Sequence, residues 1–146
     1  MITAYDLTTP SPSGGTFLGY DQDFCIRQGG LLFTEILSNT VGAVAGIYVD
    51  LRDGQGARLV ADANTAIPGG AGTFMNFAGV DWDGQTVAFM GRNAGNSGSL
   101  YAGSAPANLQ VVVAPGTPVP GESANFLGFS NPIAYEGGIL VFSGYW

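Results

Sequence analysis

Thr16-Phe17-Leu18-Gly19-Tyr20 returns as Thr73-Phe74-Met75-Asn76-Phe77 and again as Asn125-Phe126-Leu127-Gly128-Phe129, a recurrence every 52 to 57 residues. A second echo precedes each copy: Thr9-Pro10-Ser11-Pro12, Thr65-Ala66-Ile67-Pro68 and Thr117-Pro118-Val119-Pro120. Self-similarity at a fixed period marks one supersecondary unit copied in tandem, a unit that buries its apolar face only against its neighbours. The echoes identify an architecture and leave the activity to be argued from other residues.

Between the echoes, short β-branched or aromatic runs end in Gly, Pro, Asn or Asp, and helical periodicity is nearly missing. That is the pattern of an all-β chain. The first unit reads as strands over Phe17 to Arg27, Leu31 to Leu37, Val44 to Leu51 and Ala57 to Asp62, with turns at Gln28-Gly29-Gly30 and Asp53-Gly54-Gln55-Gly56. The second reads as Phe74 to Trp82, Thr86 to Met90, Ser99 to Gly103 and Leu109 to Ala114, with a hairpin turn at Asp83-Gly84 and an Asn/Gly-rich loop from Arg92 to Gly98. The third begins at Phe126, turns at Glu136-Gly137-Gly138 and holds a second strand over Ile139 to Phe142.

Ile2 to Leu7, just ahead of the first Thr-x-x-Pro echo, sits in the register of a fourth strand. The sequence therefore predicts one repeat domain over 1–146, divided into an N-terminal completing strand (1–16), repeat 1 (17–72), repeat 2 (73–123) and half of repeat 3 (124–146). The expected fold is a set of tandem four-stranded blade-like sheets, a partial β-propeller of about three blades, since propellers are often closed by a strand borrowed across the termini. A β-trefoil, with three four-stranded repeats in a similar length, is the alternative.

Composition narrows the chemistry. The chain has no His and no Lys, and Arg27, Arg52, Arg58 and Arg92 face eleven acidic residues for a net charge of −7. Without a basic stripe, nucleic-acid and anionic-membrane binding are excluded as expectations. No run approaches the roughly 20 apolar residues of a membrane helix, so no membrane insertion is expected. The N-terminal Met1-Ile2-Thr3-Ala4-Tyr5-Asp6 lacks the features of a signal peptide. Cys25 is the only cysteine; no intrachain disulfide or thiolate metal site can form, and the residue reads as a small buried apolar group.

Ala63-Asn64-Thr65-Ala66-Ile67-Pro68-Gly69-Gly70, Phe74, Phe77, Asp83-Gly84-Gln85-Thr86-Val87-Ala88-Phe89-Met90-Gly91 and Gly46-Ile47-Tyr48 form a pattern that resembles a class of bacterial exported, Gly-rich repeat proteins found with cell-surface anchoring signals. The resemblance covers nearly the whole chain. It implies four-stranded propeller blades and an extracellular or cell-surface location, and it carries no catalytic residues. This chain departs from the class in having under three units and no recognisable sorting tail.

Acidic clusters at Asp81-Trp82-Asp83-Gly84 and Asp50-Leu51-Arg52-Asp53-Gly54 do not continue into the ligand set of a calcium loop and read as turns. Asp21-Gln22-Asp23 reads as two carboxylates at a strand face or bulge. The lack of His and Lys removes the usual general bases and amine nucleophiles. A carboxylate pair for glycoside hydrolysis would come from Asp81, Asp83, Glu35 or Glu136, but Asp83 and Glu136 hold equivalent turn positions, which places them at a rim. The expectation is a non-enzyme with no cofactor and no metal.

Two function classes follow. One is an extracellular structural module that self-associates into an oligomer or filament by strand or blade completion. Copies of itself are its partners, and Ile2, Ala4, Tyr5, Leu7, Ile139, Val141, Tyr145 and Trp146 are its contacts. The low charge and the absence of Lys, a usual guard on strand edges, favour this reading. The other is a lectin-like surface in which Trp82, Tyr101, Tyr135, Tyr145 and Trp146 stack on sugars beside acceptors such as Asn93 and Asn96, with Trp82 equally suited to packing.

Overall fold

The computed structural model describes residues 10–14, 16–39, 42–95 and 98–146. The expected strand over Ile2 to Leu7 lies outside the described residues. Among the described residues, ten strands form three separate antiparallel sheets. The first contains β1 (Thr16–Arg27), β2 (Gly30–Asn39), β3 (Gly42–Asp50) and β4 (Ala57–Asp62) in that order. The second contains β5 (Asn76–Trp82), β6 (Val87–Arg92), β7 (Ser99–Gly103) and β8 (Gln110–Val113), with a short 3-10 turn at Pro106–Asn108. The third pairs β9 (Gly128–Glu136) with β10 (Ile139–Tyr145). Every pairing joins neighbours in sequence, so the sheets are meanders. No strand crosses between sheets, and the trefoil alternative, which needs a barrel shared by its repeats, does not fit.

The Thr-x-x-Pro echo becomes the joint between sheets. Thr65 takes an N–H bond from Asp62 at 2.9 Å on its hydroxyl oxygen, and Thr117 takes one from Ala114 at 3.3 Å. The carbonyls of the same two threonines accept from the N–H groups of Phe74 and Phe126, at 3.3 and 2.9 Å. One residue thus ties the end of a fourth strand to the entry of the next sheet. The proline that follows sits second in a turn closed by Gly70 N–H to Ile67 C=O and by Glu122 N–H to Val119 C=O. Gly69 and Gly121, third in those turns, have φ of 68° and 84°, the left-handed conformation that this type of turn demands and glycine supplies. Isolated bridges Pro10–Thr16, Ala66–Thr73 and Pro118–Asn125 mark the same joint three times.

The phenylalanine after each joint anchors a sheet. Phe17 meets Phe33 and Tyr48 edge-on at 5.7 and 5.3 Å, while Phe33 and Tyr48 stack at 5.7 Å. Phe74 meets Phe89 and Tyr101 edge-on at 5.7 and 5.0 Å, with Phe89 and Tyr101 stacked at 5.5 Å. The third sheet repeats the first edge, Phe126 to Phe142 at 5.8 Å, and sets Trp146 edge-on to Phe126 at 6.1 Å. These offset and edge-to-face geometries are the ones ring quadrupoles favour. Because Phe74 and Phe126 belong to the joints, β5 and β9 begin two residues later than the sequence suggests.

The sheets pack face to face. One core gathers Leu32, Ile47, Val49 and Val60 of the first sheet with Phe74, Trp82, Val87 and Phe89 of the second. Another gathers Ala88, Met90 and Leu100 of the second with Phe126, Phe129, Ile133 and Tyr135 of the third. β5 lies between β1 and β9. Each pairing of first with second strand slips register, between Tyr20 and Phe24, between Ala78 and Asp81, and between Ser130 and Ala134. Asp21 to Asp23 fall within the first of these bulges, as their sequence suggested.

Trp82 is the largest side chain in the interior, and its indole lies where a Cβ on Gly30 would stand. Truncating such a side chain removes apolar burial and leaves a cavity. Trp82→Ala is therefore expected to lower stability by about 3–5 kcal/mol, and Gly30→Ala, which overpacks the same contact, by about 1–3 kcal/mol. Urea unfolding monitored by circular dichroism checks both; a neutral result for either would contradict this packing.

Candidate functional site

Among the residues singled out for sugar contact, Trp82 and Tyr101 are buried, at 1% and 4% exposure. This corrects the stacking role: Trp82 is a plug between the first two sheets, and Tyr101 completes the aromatic triangle of the second. Adjacency to a turn suggested exposure for Trp82, but the neighbouring sheet covers that turn. Asn93 folds its side-chain carbonyl back onto the N–H of Gly95 at 2.9 Å, an ordinary Asx turn; Asn96 lies outside the described residues. A groove of about 560 Å³ beside β7 and β8 is lined by Thr86, Ser104, Asn108, Gln110 and Tyr135 among others. Asn108 is already committed there, accepting from the N–H groups of Ser104 and Ala105 and donating to the Ser104 hydroxyl.

Two of the acidic candidates, Asp83 and Asp81, hold backbone N–H groups in place. Asp83 accepts the N–H groups of Gln85 and Thr86 at 3.0 and 2.8 Å, closing the turn before β6. Asp81 binds the N–H of Trp82 on one oxygen and that of Tyr135 on the other, both at 2.8 Å. That carboxylate joins the second sheet to the third. Arg27 lies across the same rim, 3.9 Å from Asp81 and 3.5 Å from Glu136, while Gln28 donates to the Asp83 carbonyl at 3.1 Å. The three hairpin turns between first and second strands therefore converge and are tied by polar contacts. The side chain of Glu35 is not among those described. No group of three His, Cys, Asp or Glu among the described residues is arranged to hold a metal ion, and no helix is long and apolar enough to cross a membrane.

Cys25 stands beside this rim, half-buried. Burial raises its thiol pKa, with Asp81 adding to the effect, and contact with Arg27 only partly opposes it. The neutral thiol is the favoured form, as expected of a packing residue.

Large apolar side chains are left uncovered at several places, Leu51, Met75, Val111, Val112 and Leu127 among them. Phe24 and Ile26 on β1 are exposed at 73% and 70%, and on β10 Ile139, Val141 and Tyr145 at 70%, 63% and 57%. Trp146 is also exposed. Of the self-association candidates, Ile2, Ala4, Tyr5 and Leu7 lie outside the described residues, whereas the other four all belong to this open surface. On β10 the exposed and half-buried side chains alternate along the strand, so Ile139, Val141 and Tyr145 share one face. Sequence reading missed Phe24 and Ile26, although their repeat counterparts, Val80 and Trp82, carried the signal that this face is built for packing.

A raised thiol pKa has a measurable sign. The folded chain holds the Cys25 proton more tightly than an unfolded chain does, so this contribution to stability is full below the ordinary thiol value of 9.0 and declines as pH rises through the native one. At pH 9, iodoacetamide is expected to alkylate the native chain more slowly than the urea-unfolded chain. Cys25→Ala is expected to flatten the alkaline fall in stability; equal alkylation rates and an unchanged fall would contradict the assignment.

No curated protein and no solved structure matches this chain. A family model does match, over residues 7–146. On that match, the chain belongs to the family of unknown function DUF7453.

Proposed function

We propose that the domain is a non-enzymatic structural module of the extracellular space or cell surface that self-associates by blade completion. Each sheet is read as a propeller blade: the strands run in meander order, and the first strands β1, β5 and β9 lie side by side, as they would around a common axis. The observation that carries the proposal is the apolar face of β10, whose second edge is unpaired among the described residues. A strand with Ile139, Val141 and Tyr145 outward, in a chain without Lys, is a template for another strand or sheet. The catalytic alternative has little to draw on, since the carboxylates at the rim are engaged with backbone N–H groups or with Arg27. The lectin reading loses Trp82, Tyr101 and Tyr135 to the core and keeps Tyr145 and Trp146 at the surface.

Blades in a closed propeller number about four to eight, and three such sheets leave two open ends. Association of copies is expected to yield a ring or, where the head-to-tail contact does not close, a filament. Sedimentation velocity over a hundredfold concentration range checks this directly, with particle imaging of the heaviest fractions. The expected result is a concentration-dependent shift to species of two or more chains. Deleting residues 1–8, which include the strand expected to complete a blade, should shrink those species. A chain that sediments as a monomer at every concentration would refute the proposal.

A further inference from the structure

Resting on that reading, one feature decides which surfaces meet. Each sheet has two faces, and the chain makes the same contact between them twice. Gly30 and Leu32 on β2 are buried beneath the second sheet, and Thr34, next in the same alternating row, is buried too. Ala88 and Met90, their counterparts on β6, are buried beneath the third. Ile139 and Val141 hold the corresponding row on β10 and are exposed.

The opposite face shows the same break at the turn end of its first strand, while Phe17, Phe33 and Tyr48 on that face are already buried. Val80 and Trp82 on β5 pack onto the first sheet, and Ile133 and Tyr135 on β9 pack onto the second. Phe24 and Ile26 on β1 hold the corresponding positions, and both are exposed. The chain thus presents one copy of each half of a contact that it satisfies twice internally. The two halves are different surfaces at opposite ends of the stack.

We infer that the β1 face of a second copy, with Phe24 and Ile26, docks on the β10 face carrying Ile139 and Val141, repeating the step that relates each sheet to the next. Such a contact is heterologous, so each chain uses one end as donor and the other as acceptor. The apolar rows exclude water, and the β1 side chains take the places that Trp82 and Tyr135 occupy inside the chain. Both half-surfaces are sheet faces, so this docking does not need the unpaired edge of β10.

The test uses the full chain with Ile26→Asp in one preparation and Val141→Asp in another. Both side chains are exposed, and unchanged circular dichroism and melting temperature establish that each variant folds. Each variant alone is expected to sediment as a monomer at a concentration where the unaltered chain assembles, with association weakened at least tenfold. An equimolar mixture is expected to form a 1:1 dimer and nothing larger, because Ile26→Asp keeps its β10 face and Val141→Asp keeps its β1 face. Mixing changes no charge, so rescue on mixing is not a charge effect.

Should either variant misfold, the pair Ile26→Cys and Val141→Cys, each with Cys25→Ala, replaces them. A disulfide-linked dimer forming in the mixture above the level of either preparation alone supports the contact. If the Asp variants assemble as the unaltered chain does, face docking is wrong and self-association by another route, such as the β10 edge, stands. A mixture that stays monomeric overturns the head-to-tail pairing, as does a Cys mixture that links no better than its components. If the unaltered chain itself never associates, both this inference and the proposed function fail.

Discussion

Sheets with apolar residues on both faces need a neighbour on both sides, and that requirement organises this molecule. The first and second sheets show the consequence where the requirement is met: Leu32, Ile47, Val60, Trp82, Val87 and Phe89 are closed off from water within a single core. Burying each such side chain contributes about 1.5–3 kcal/mol, so the contact between sheets supplies much of the driving force for the fold. In the first two sheets, a Phe–Phe–Tyr triangle packs the start of the unit against the second and third strands. The threonine-proline joint then delivers the chain to the next sheet in a fixed orientation.

Polar groups refine this arrangement rather than create it. Asp81 accepts N–H groups from two sheets at once, and Arg27 and Gln28 reach from the first sheet to turns of the other two. A carboxylate receiving backbone N–H groups makes charge-assisted bonds, which are stronger than neutral ones. The exposed Arg27 pairs contribute little by comparison. This leaves a rim where three hairpins meet, held by directional bonds. Asp81, one of the residues that the sequence offers for catalysis, here sets sheet against sheet.

Much of this was legible beforehand. Ala57 to Asp62 and Ser99 to Gly103 are legible at their observed bounds because Gly, Asn, Ser and Pro bracket short runs centred on Leu59-Val60 and Leu100-Tyr101. The burial of Phe17, Phe74 and Phe126 accords with their recurrence, since a repeated aromatic at the start of a unit has a repeated packing task. The Thr-x-x-Pro echo was visible, but its role as a joint was not, because that depends on a hydrogen bond across the gap between sheets. Trp82 was ambiguous for a related reason: its neighbour Asp83-Gly84 signals a turn, and only the approach of Gly30 from another sheet reveals that the turn is covered. Burial on β10 was likewise unreadable, as Ile139-Leu140-Val141-Phe142 is apolar throughout and only packing separates its two faces.

The central claim is that the exposed rows on β1 and β10 are unpaired halves of the contact that joins the sheets. Hydroxyl-radical footprinting at increasing chain concentration tests it most directly, because it reads the burial of individual side chains. Met75 and Leu127, exposed elsewhere on the surface, serve as internal references. The account predicts that oxidation of Phe24, Ile26, Ile139 and Val141 falls together as concentration rises, while Met75 and Leu127 stay reactive. Equal reactivity of all six at every concentration, or protection confined to Met75 and Leu127, would contradict it.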